Sequence, residues 1–284
     1  GGSTGEYPLN NTACRRRLIQ IFEHFSRVYC CDIGAFSVMG SHYHLLAGME
    51  MPREMSRKEL WKRASLLYPE RVLEGWLRAK WERFAARIFD VSELMRSVNA
   101  SFARWYNHEY GRRGSFWAER FKSVLFEDEK AARDCALYIE LNAVRAGIVE
   151  RPEEYEGCSL YLRDIKKDGW MLPLKDFLRK KSRREALVDY KARVYYRGTE
   201  PTKQGQVKIP KWLAEEEEAR GFKTRGAYRK RLRYFADGVV LGSRGFVKNH
   251  LDGLIAKGVY TRRKNPIEYD TIDWFVLRPQ KGDV

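Results

Sequence analysis

Histidine and cysteine, two residue types that do much of the chemistry in proteins, are scarce here, with five of each in 284 residues. The cysteines, Cys14, Cys30, Cys31, Cys135 and Cys158, are odd in number and form no Cys-x-x-Cys pair. Neither a disulfide framework nor a zinc knuckle is suggested, and a reducing cytoplasm fits. No run of about 18 apolar residues occurs and no signal peptide is recognisable, which weighs against a membrane partner. No internal repeat is visible, and Gly1-Gly2-Ser3 reads as a linker remnant outside the fold. Acidic residues are outnumbered: 38 Asp and Glu against 54 Lys and Arg leave a net charge of +16. Such a charge favours polyanionic partners, nucleic acid first, with an anionic membrane surface as the weaker rival.

Because histidine is scarce, its placement is informative. Two of the five stand two residues apart in Phe36-Ser-Val-Met-Gly-Ser-His42-Tyr-His44-Leu-Leu-Ala-Gly48. On a β-strand, residues i and i+2 leave the same face, so His42 and His44 would stand side by side, close enough to share one metal ion. An ordinary imidazole pKa of about 6.5 leaves such rings mostly neutral, and able to ligate, at pH 7. The other reading is a pair of half-buried, hydrogen-bonded strand histidines.

Residues 12–26 read as a helix, with Thr12 as its cap and Leu18, Ile21, Phe22 and Phe25 at helical spacing. Asp32 to Met39 reads as a strand, Gly40-Ser41 as a turn, and Tyr43 to Ala47 as the hairpin partner. Residues 56–109 are helical in pattern. Ser56 opens the first segment, Pro69 interrupts it, and Asp90-Val-Ser92 starts another whose Leu94, Met95, Val98, Phe102 and Trp105 read as core packing. Gly111-Arg-Arg-Gly114 leads into Phe116-Trp117-Ala-Glu-Arg120-Phe-Lys122-Ser-Val-Leu-Phe126, where aromatic and basic residues alternate near an expected strand. Bases can stack on such aromatics while Arg and Lys meet phosphates, or the aromatics are half buried beside solvated cations. Asp128 to Val144 reads as one helix with Ala131, Cys135, Tyr138, Leu141 and Asn142 near one face, and Gly147 and Pro152 as stop signals.

From about residue 166 the character changes. Lys166-Lys-Asp-Gly169 reads as a surface link, and Arg179 to Arg184 as a basic run opening another helix. Pro201 to Pro210 reads as a polar linker, Glu215 to Glu218 as an acidic block on a solvated helix face, and Arg225 to Phe235 as strongly basic. Asp237-Gly238, Ser243 and Phe246 to Ile255 suggest a turn and a further helix. That segment is either a helix-turn-helix-like DNA reader or a basic helical appendage without sequence reading.

Tyr138 and Asn142, four residues apart, share a helix face. If that face covers the histidine strand, His42, His44 and the Asn142 amide oxygen would hold a divalent cation. Two imidazoles and an amide, with positions open for water and phosphate, suit Mg²⁺ or Mn²⁺ as a Lewis acid. Tyr138 would then be a nucleophile that needs the metal field or a base to react at neutral pH. On spacing alone, a tyrosine on a helix is usually a core or rim residue.

Three blocks carry a resemblance. Met39-Gly-Ser-His42-Tyr-His44-Leu-Leu resembles the histidine motif of the REP-associated tyrosine transposases, IS200-like single-tyrosine members of the HUH endonuclease class. Gly114-Ser-Phe-Trp117-Ala-Glu-Arg120-Phe-Lys-Ser is similar to the family's second block and Tyr138-Ile-Glu-Leu-Asn142-Ala-Val-Arg145-Ala-Gly147 to its third, in family order. The resemblance is specific for roughly residues 6–165 and looser beyond, where Tyr234 to Val247 resembles a C-terminal extension of some members.

The resemblance implies an α+β fold: a small antiparallel sheet with flanking helices, a HUH/ferredoxin-like core, in residues 4–165. A helical insertion would occupy about 52–110, and 166–284 would be a basic, mainly helical DNA-binding region. It implies Tyr138 as nucleophile, with Asn142 joining His42 and His44 as the third ligand to Mg²⁺ or Mn²⁺. Arg112, Arg113, Trp117, Arg120, Lys122 and Arg145 are the expected DNA contacts. The implied activity is cleavage and rejoining of single-stranded DNA through a 5′-phosphotyrosine at hairpin-forming repetitive extragenic DNA. It would be exercised in the cytoplasm at the nucleoid, by a monomer or homodimer, with no membrane partner. A non-catalytic nucleic-acid-binding protein with the same fold is the alternative, and a water-using metal nuclease a third.

Two departures stand out. Gly40-Ser41 replaces the Pro-Asn or similar pair usual before the first histidine. The strand that usually precedes the first helix has few residues to form from, so it is truncated, replaced by Gly5 to Leu9, or supplied by another chain.

Overall fold

The computed structural model describes residues 7–200, 205–219, 239–260, 267–268 and 275–278. The protein is mixed α+β and divides into two compact units, 1–120 with 152–183, and 121–151 with 184–284. The division falls elsewhere than the sequence boundary at 165/166, because residues 121–151 group with the C-terminal half.

In the first unit, α1 (Thr12–Val28) buries Leu18, Ile21, Phe22 and Phe25 as their spacing predicts. Its cap is Asn11, not Thr12: Asn11 Oδ1 accepts from the Ala13 N–H at 2.7 Å. Thr12 is already the first helical residue, and its hydroxyl accepts from Arg15 instead. β1 (Cys31–Val38) and β2 (Tyr43–Met49) pair antiparallel, with Val38 opposite Tyr43 and Ser37 opposite His44. The Met39 N–H to His42 carbonyl bond, 2.8 Å, closes the Gly40-Ser41 turn.

β1 is buried along almost its whole length, so it reads as an apolar run rather than an alternation. The register slips between Ile33 and Ala35, and the Gly34 carbonyl at this slip accepts from Arg163 at 2.8 Å.

Among the described residues this sheet has two strands. Of the segment that could have stood in for a further strand, Pro8 and Leu9 lie in a 3₁₀ turn, Pro8–Asn10. Leu9 is fully buried, and its N–H meets the Gly40 carbonyl at 3.0 Å. Gly5 lies outside the described residues.

The helical stretch expected over about 52–110 consists of α2 (Arg57–Ala64), α3 (Glu70–Glu74), α4 (Arg78–Arg87) and α5 (Val91–Glu109). Ser56 and Glu59 form a reciprocal capping box, Pro69 precedes α3, and Asp90 caps α5, all at the expected start signals. Leu94, Val98 and Phe102 join α1, the buried face of β1, and Trp76, Trp81 and Phe84 in one core. α8 (Ser159–Asp164) and α9 (Leu174–Phe177) complete the unit. Tyr155 donates to the Val38 carbonyl at 2.6 Å, and the Ser159 hydroxyl accepts from the Phe36 N–H at 3.0 Å.

The strand expected around Phe116–Phe126 shrinks to β3 (Leu125–Phe126), the first residues of this stretch that pair in a named strand. Phe116 and Trp117 put their rings against Phe102 of α5.

In the second unit, β3 pairs parallel with β4 (Val240–Gly242). β4 pairs antiparallel with β6 (Phe275–Leu277), and β6 with β5 (Ile267–Glu268). Three of these four strands lie beyond residue 165, so that region is not uniformly helical.

The helix expected over Asp128–Val144 is two pieces, α6 (Glu129–Glu140) and α7 (Asn142–Arg145), joined at Leu141. α10 (Arg183–Gly198) and α11 (Lys211–Ala219) follow. α12 (Arg244–Ala256) is capped by Ser243 and lays Val247 and Leu251 on Val240 and Leu277. Its apolar face thus packs on the sheet, and residues 220–238, which precede it, lie outside the described residues.

The acidic block is not simply solvated. Glu217 is 2% exposed and pairs with Arg151 at 2.5 Å, while Glu216 meets the same guanidinium at 2.9 Å. The basic run Arg225–Phe235 and Asp237-Gly238 lie outside the described residues.

Candidate functional site

The hairpin carries the histidine pair at its tip. His42 closes the turn and His44 follows one residue into β2, so the period-2 rule puts both imidazoles on one side. Their ring centroids are 5.0 Å apart with planes at 90°. His42 Nδ1 lies 3.1 Å from the Ser41 hydroxyl, so that contact engages Nδ1 and not Nε2. Burial lowers both rings below the ordinary histidine value, His44 to about 4, with the His42 charge adding to it. Both are therefore neutral at pH 7, the form that ligates metal.

Tyr138, Asn142 and Arg145 follow one another on the second unit's α6 and α7 at spacings of four and three, one helical face. The Asn142 amide nitrogen donates to the Tyr138 and Ile139 carbonyls, each at 3.2 Å. Both N–H donors are thereby used at the α6–α7 junction, and the amide oxygen remains as the acceptor a cation could use. The Arg145 guanidinium sits over the Tyr138 ring, 5.3 Å from its centroid. Burial draws Arg145 down to about 10, opposed by Tyr138 and assisted by the like charge of Arg197, so it stays cationic at neutral pH.

By their chemistry, His42 and His44 of the first unit offer two neutral imidazole nitrogens, and Asn142 of the second offers an amide oxygen. Among the described residues, no group of three or more His, Cys, Asp or Glu side chains is placed to share a metal.

The expected DNA contacts divide into two kinds. Arg113, Arg120 and Lys122 are exposed in the irregular stretch before β3, and Arg112 rests over the Tyr106 ring at 5.7 Å. Trp117 is built into the first unit: its indole N–H donates to the Asn99 carbonyl at 3.0 Å and its ring packs edge-on to Tyr43 at 5.5 Å. Of the N-terminal arginines, Arg15 clamps the Leu9 and Asn10 carbonyls and Arg16 pairs with Glu156.

Sequence reasoning passed over Arg197, 4% exposed on α10. Its one sequence signal is a basic residue set between the tyrosine pair Tyr195-Tyr196 and Gly198.

Comparison with family models, with curated proteins and with solved structures finds no match to this chain. Among the described residues no helix is long and apolar enough to cross a membrane.

Proposed function

We propose that the protein is a metal-dependent enzyme that cleaves and rejoins single-stranded DNA, with a HUH-type core like that of the REP-associated tyrosine transposases. The observation that carries this reading is the pair of neutral imidazoles, 5.0 Å apart at a hairpin tip. His42, His44 and Asn142 are the ligands, and Tyr138 is the nucleophile. A bound Mg²⁺ or Mn²⁺ would supply Lewis-acid polarisation of a phosphoryl oxygen. The Tyr138 hydroxyl attacks a backbone phosphorus: the Oη–P bond forms, the P–O3′ bond breaks, and a free 3′-hydroxyl departs. The 5′ phosphate stays on Tyr138. Rejoining is the reverse step and needs no nucleotide cofactor, because the phosphotyrosine retains the ester. Arg112, Arg113, Arg120 and Lys122 meet backbone phosphates, and hairpin-forming repetitive DNA in the cytoplasm is the substrate.

The test is incubation of the full chain with single-stranded hairpin DNA and Mn²⁺, read on a denaturing gel. A covalent adduct mapping to Tyr138 is expected, absent in Tyr138→Phe. His42→Ala should lose activity through weaker metal binding, and excess Mn²⁺ should restore part of it. An adduct on another tyrosine, or full cleavage by Tyr138→Phe, overturns the assignment. The second reading, a non-catalytic nucleic-acid binder, is favoured by one observation: a 3₁₀ turn occupies Pro8–Asn10, where the family's first strand would run. DNA binding with no metal-dependent adduct selects it.

A further inference from the structure

A guanidinium carries five N–H donors and keeps its charge at any physiological pH. Buried guanidinium groups are accordingly supplied with acceptors. In this protein Arg163 and Arg151 are: the first reaches two backbone carbonyls and Asp168, the second Glu216 and Glu217. Arg145 is not. Its Nη1 and Nη2 are both buried, and among the described residues neither has a hydrogen-bond partner. What it touches is the π face of Tyr138, and the charge nearest in influence, Arg197, is of the same sign. An arginine kept for packing or for an internal ion pair would have an acceptor. One facing a tyrosine with its two-pronged end unsatisfied is arranged for an anion that arrives from outside. The parallel N–H pair of that end matches two oxygens of a tetrahedral phosphate.

We propose that Arg145 is the anion-holding residue of the Tyr138 site: Nη1 and Nη2 take the two non-bridging oxygens of a phosphodiester presented to the Tyr138 hydroxyl, and keep them once the phosphate is esterified to that tyrosine. The inference rests on Tyr138 being the nucleophile. Spacing supports it, since positions 138, 142 and 145 fall on one helical face, with nucleophile, ligand and anion holder in succession. The guanidinium now resting on the ring exchanges that contact for phosphate oxygens, which releases the ring to turn its hydroxyl to phosphorus. In the transfer the Oη–P bond forms as the P–O3′ bond breaks. The phenol proton passes to water, and the departing 3′ oxygen takes one up. The diester carries one negative charge before and after, and the greatest charge falls on the pentavalent transition state between, where a fixed cation acts most strongly.

The experiment has two arms on the full chain. The first titrates inorganic phosphate and follows its ³¹P line width, with wild type, Tyr138→Phe, Arg145→Gln and Arg145→Lys compared at fixed ionic strength. Wild type and Tyr138→Phe should bind alike, Arg145→Gln at least tenfold more weakly, and Arg145→Lys, which keeps the charge but loses the fork, in between. Should Arg145→Gln not fold, the Arg145→Lys weakening carries the same test. Phosphate binding equal in all four proteins overturns the proposal. The second arm measures metal-dependent cleavage of hairpin DNA. Arg145→Gln should lower kcat about 100-fold and leave the Mn²⁺ concentration for half-activity unchanged, and added guanidinium should partly rescue Arg145→Ala. A shifted Mn²⁺ requirement with unchanged phosphate binding overturns it and makes Arg145 a support for Asn142. If no protein cleaves DNA but Arg145→Gln alone loses phosphate, the nuclease reading fails while the anion site stands. If wild type cleaves through Tyr138 and Arg145→Gln matches it in both arms, the anion site fails while the nuclease reading stands.

Discussion

Each unit buries the guanidinium nitrogens of an arginine on a short helix, and the two are treated differently. Arg163, on α8 of the first unit, is fully buried. Its Nη2 donates to the Gly34 carbonyl at 2.8 Å, and its Nη1 to the Leu172 carbonyl at 3.2 Å, with Asp168 alongside at 3.4 Å. Asp168 is in turn held by Arg183 at 2.9 Å. Arg145, on α7 of the second unit, has its terminal nitrogens buried with no acceptor among the described residues. The groups are chemically identical, so the difference lies in what the chain brings to them. Arg163 closes a structural gap left by the register slip at Gly34. Arg145 has no such acceptor among the described residues.

That contrast can be broken by stability measurements. The largest effect is expected for Arg163→Met, which strands the Gly34 and Leu172 carbonyls and leaves Asp168 with one cation fewer. A loss of about 4 kcal/mol in urea unfolding is the size that breaking a buried pair produces. A loss below about 1 kcal/mol would mean that water replaces the guanidinium.

Next comes Glu217→Ala, which leaves Arg151 without its buried partner and should cost about 3 kcal/mol. It tests whether the partner, not the unit, decides the outcome, because Arg151 shares the second unit with Arg145. An unchanged midpoint would show that Glu216 alone suffices.

Arg145→Met is expected to move the other way, gaining about 1 kcal/mol, since it removes a buried charge whose terminal nitrogens have no acceptor among the described residues, while a Met side chain can still pack on the Tyr138 ring. A destabilisation as large as that of Arg163→Met would reveal a structural acceptor and erase the contrast.

The smallest effect concerns Asp134 on α6. Burial raises its carboxyl above the ordinary aspartate value, against the pull of Arg197, Lys130, Arg193 and Arg133. The folded state thus holds this proton more tightly than the unfolded chain. The group's contribution is fully favourable below the ordinary aspartate value and is lost as pH rises through the raised one. Asp134→Asn should flatten that decline across the acid range and be slightly more stable than wild type at pH 7. Parallel slopes for the two proteins would place the carboxyl in water.

Much of the local structure was legible. Ser56 and Glu59 marked α2, Asp90 marked α5, and Gly40-Ser41 marked the turn that brings His42 beside His44. The Tyr138–Asn142 relation was legible as well, and it survives the Leu141 junction because the Asn142 amide bonds the Tyr138 carbonyl across it. The Phe116–Phe126 strand was misread because alternating aromatics look the same whether they pair on a sheet edge or fill a core. Phe116, 2% exposed, does the latter. The Glu215–Glu218 block was misread because nothing near it in sequence announces Arg151, 66 residues from Glu217.

By itself, then, the sequence determined the hairpin, the helix starts and the order of tyrosine, asparagine and arginine along one face. Those features depend on turn chemistry, capping and helical period, which act within a few residues. Only the tertiary structure decided that β3 pairs with β4, joining Leu125 to Val240, and that Arg163 and Arg151 find acceptors while Arg145 does not. A buried charge is satisfied by whatever the fold brings from far along the chain, and spacing within a motif carries no record of that.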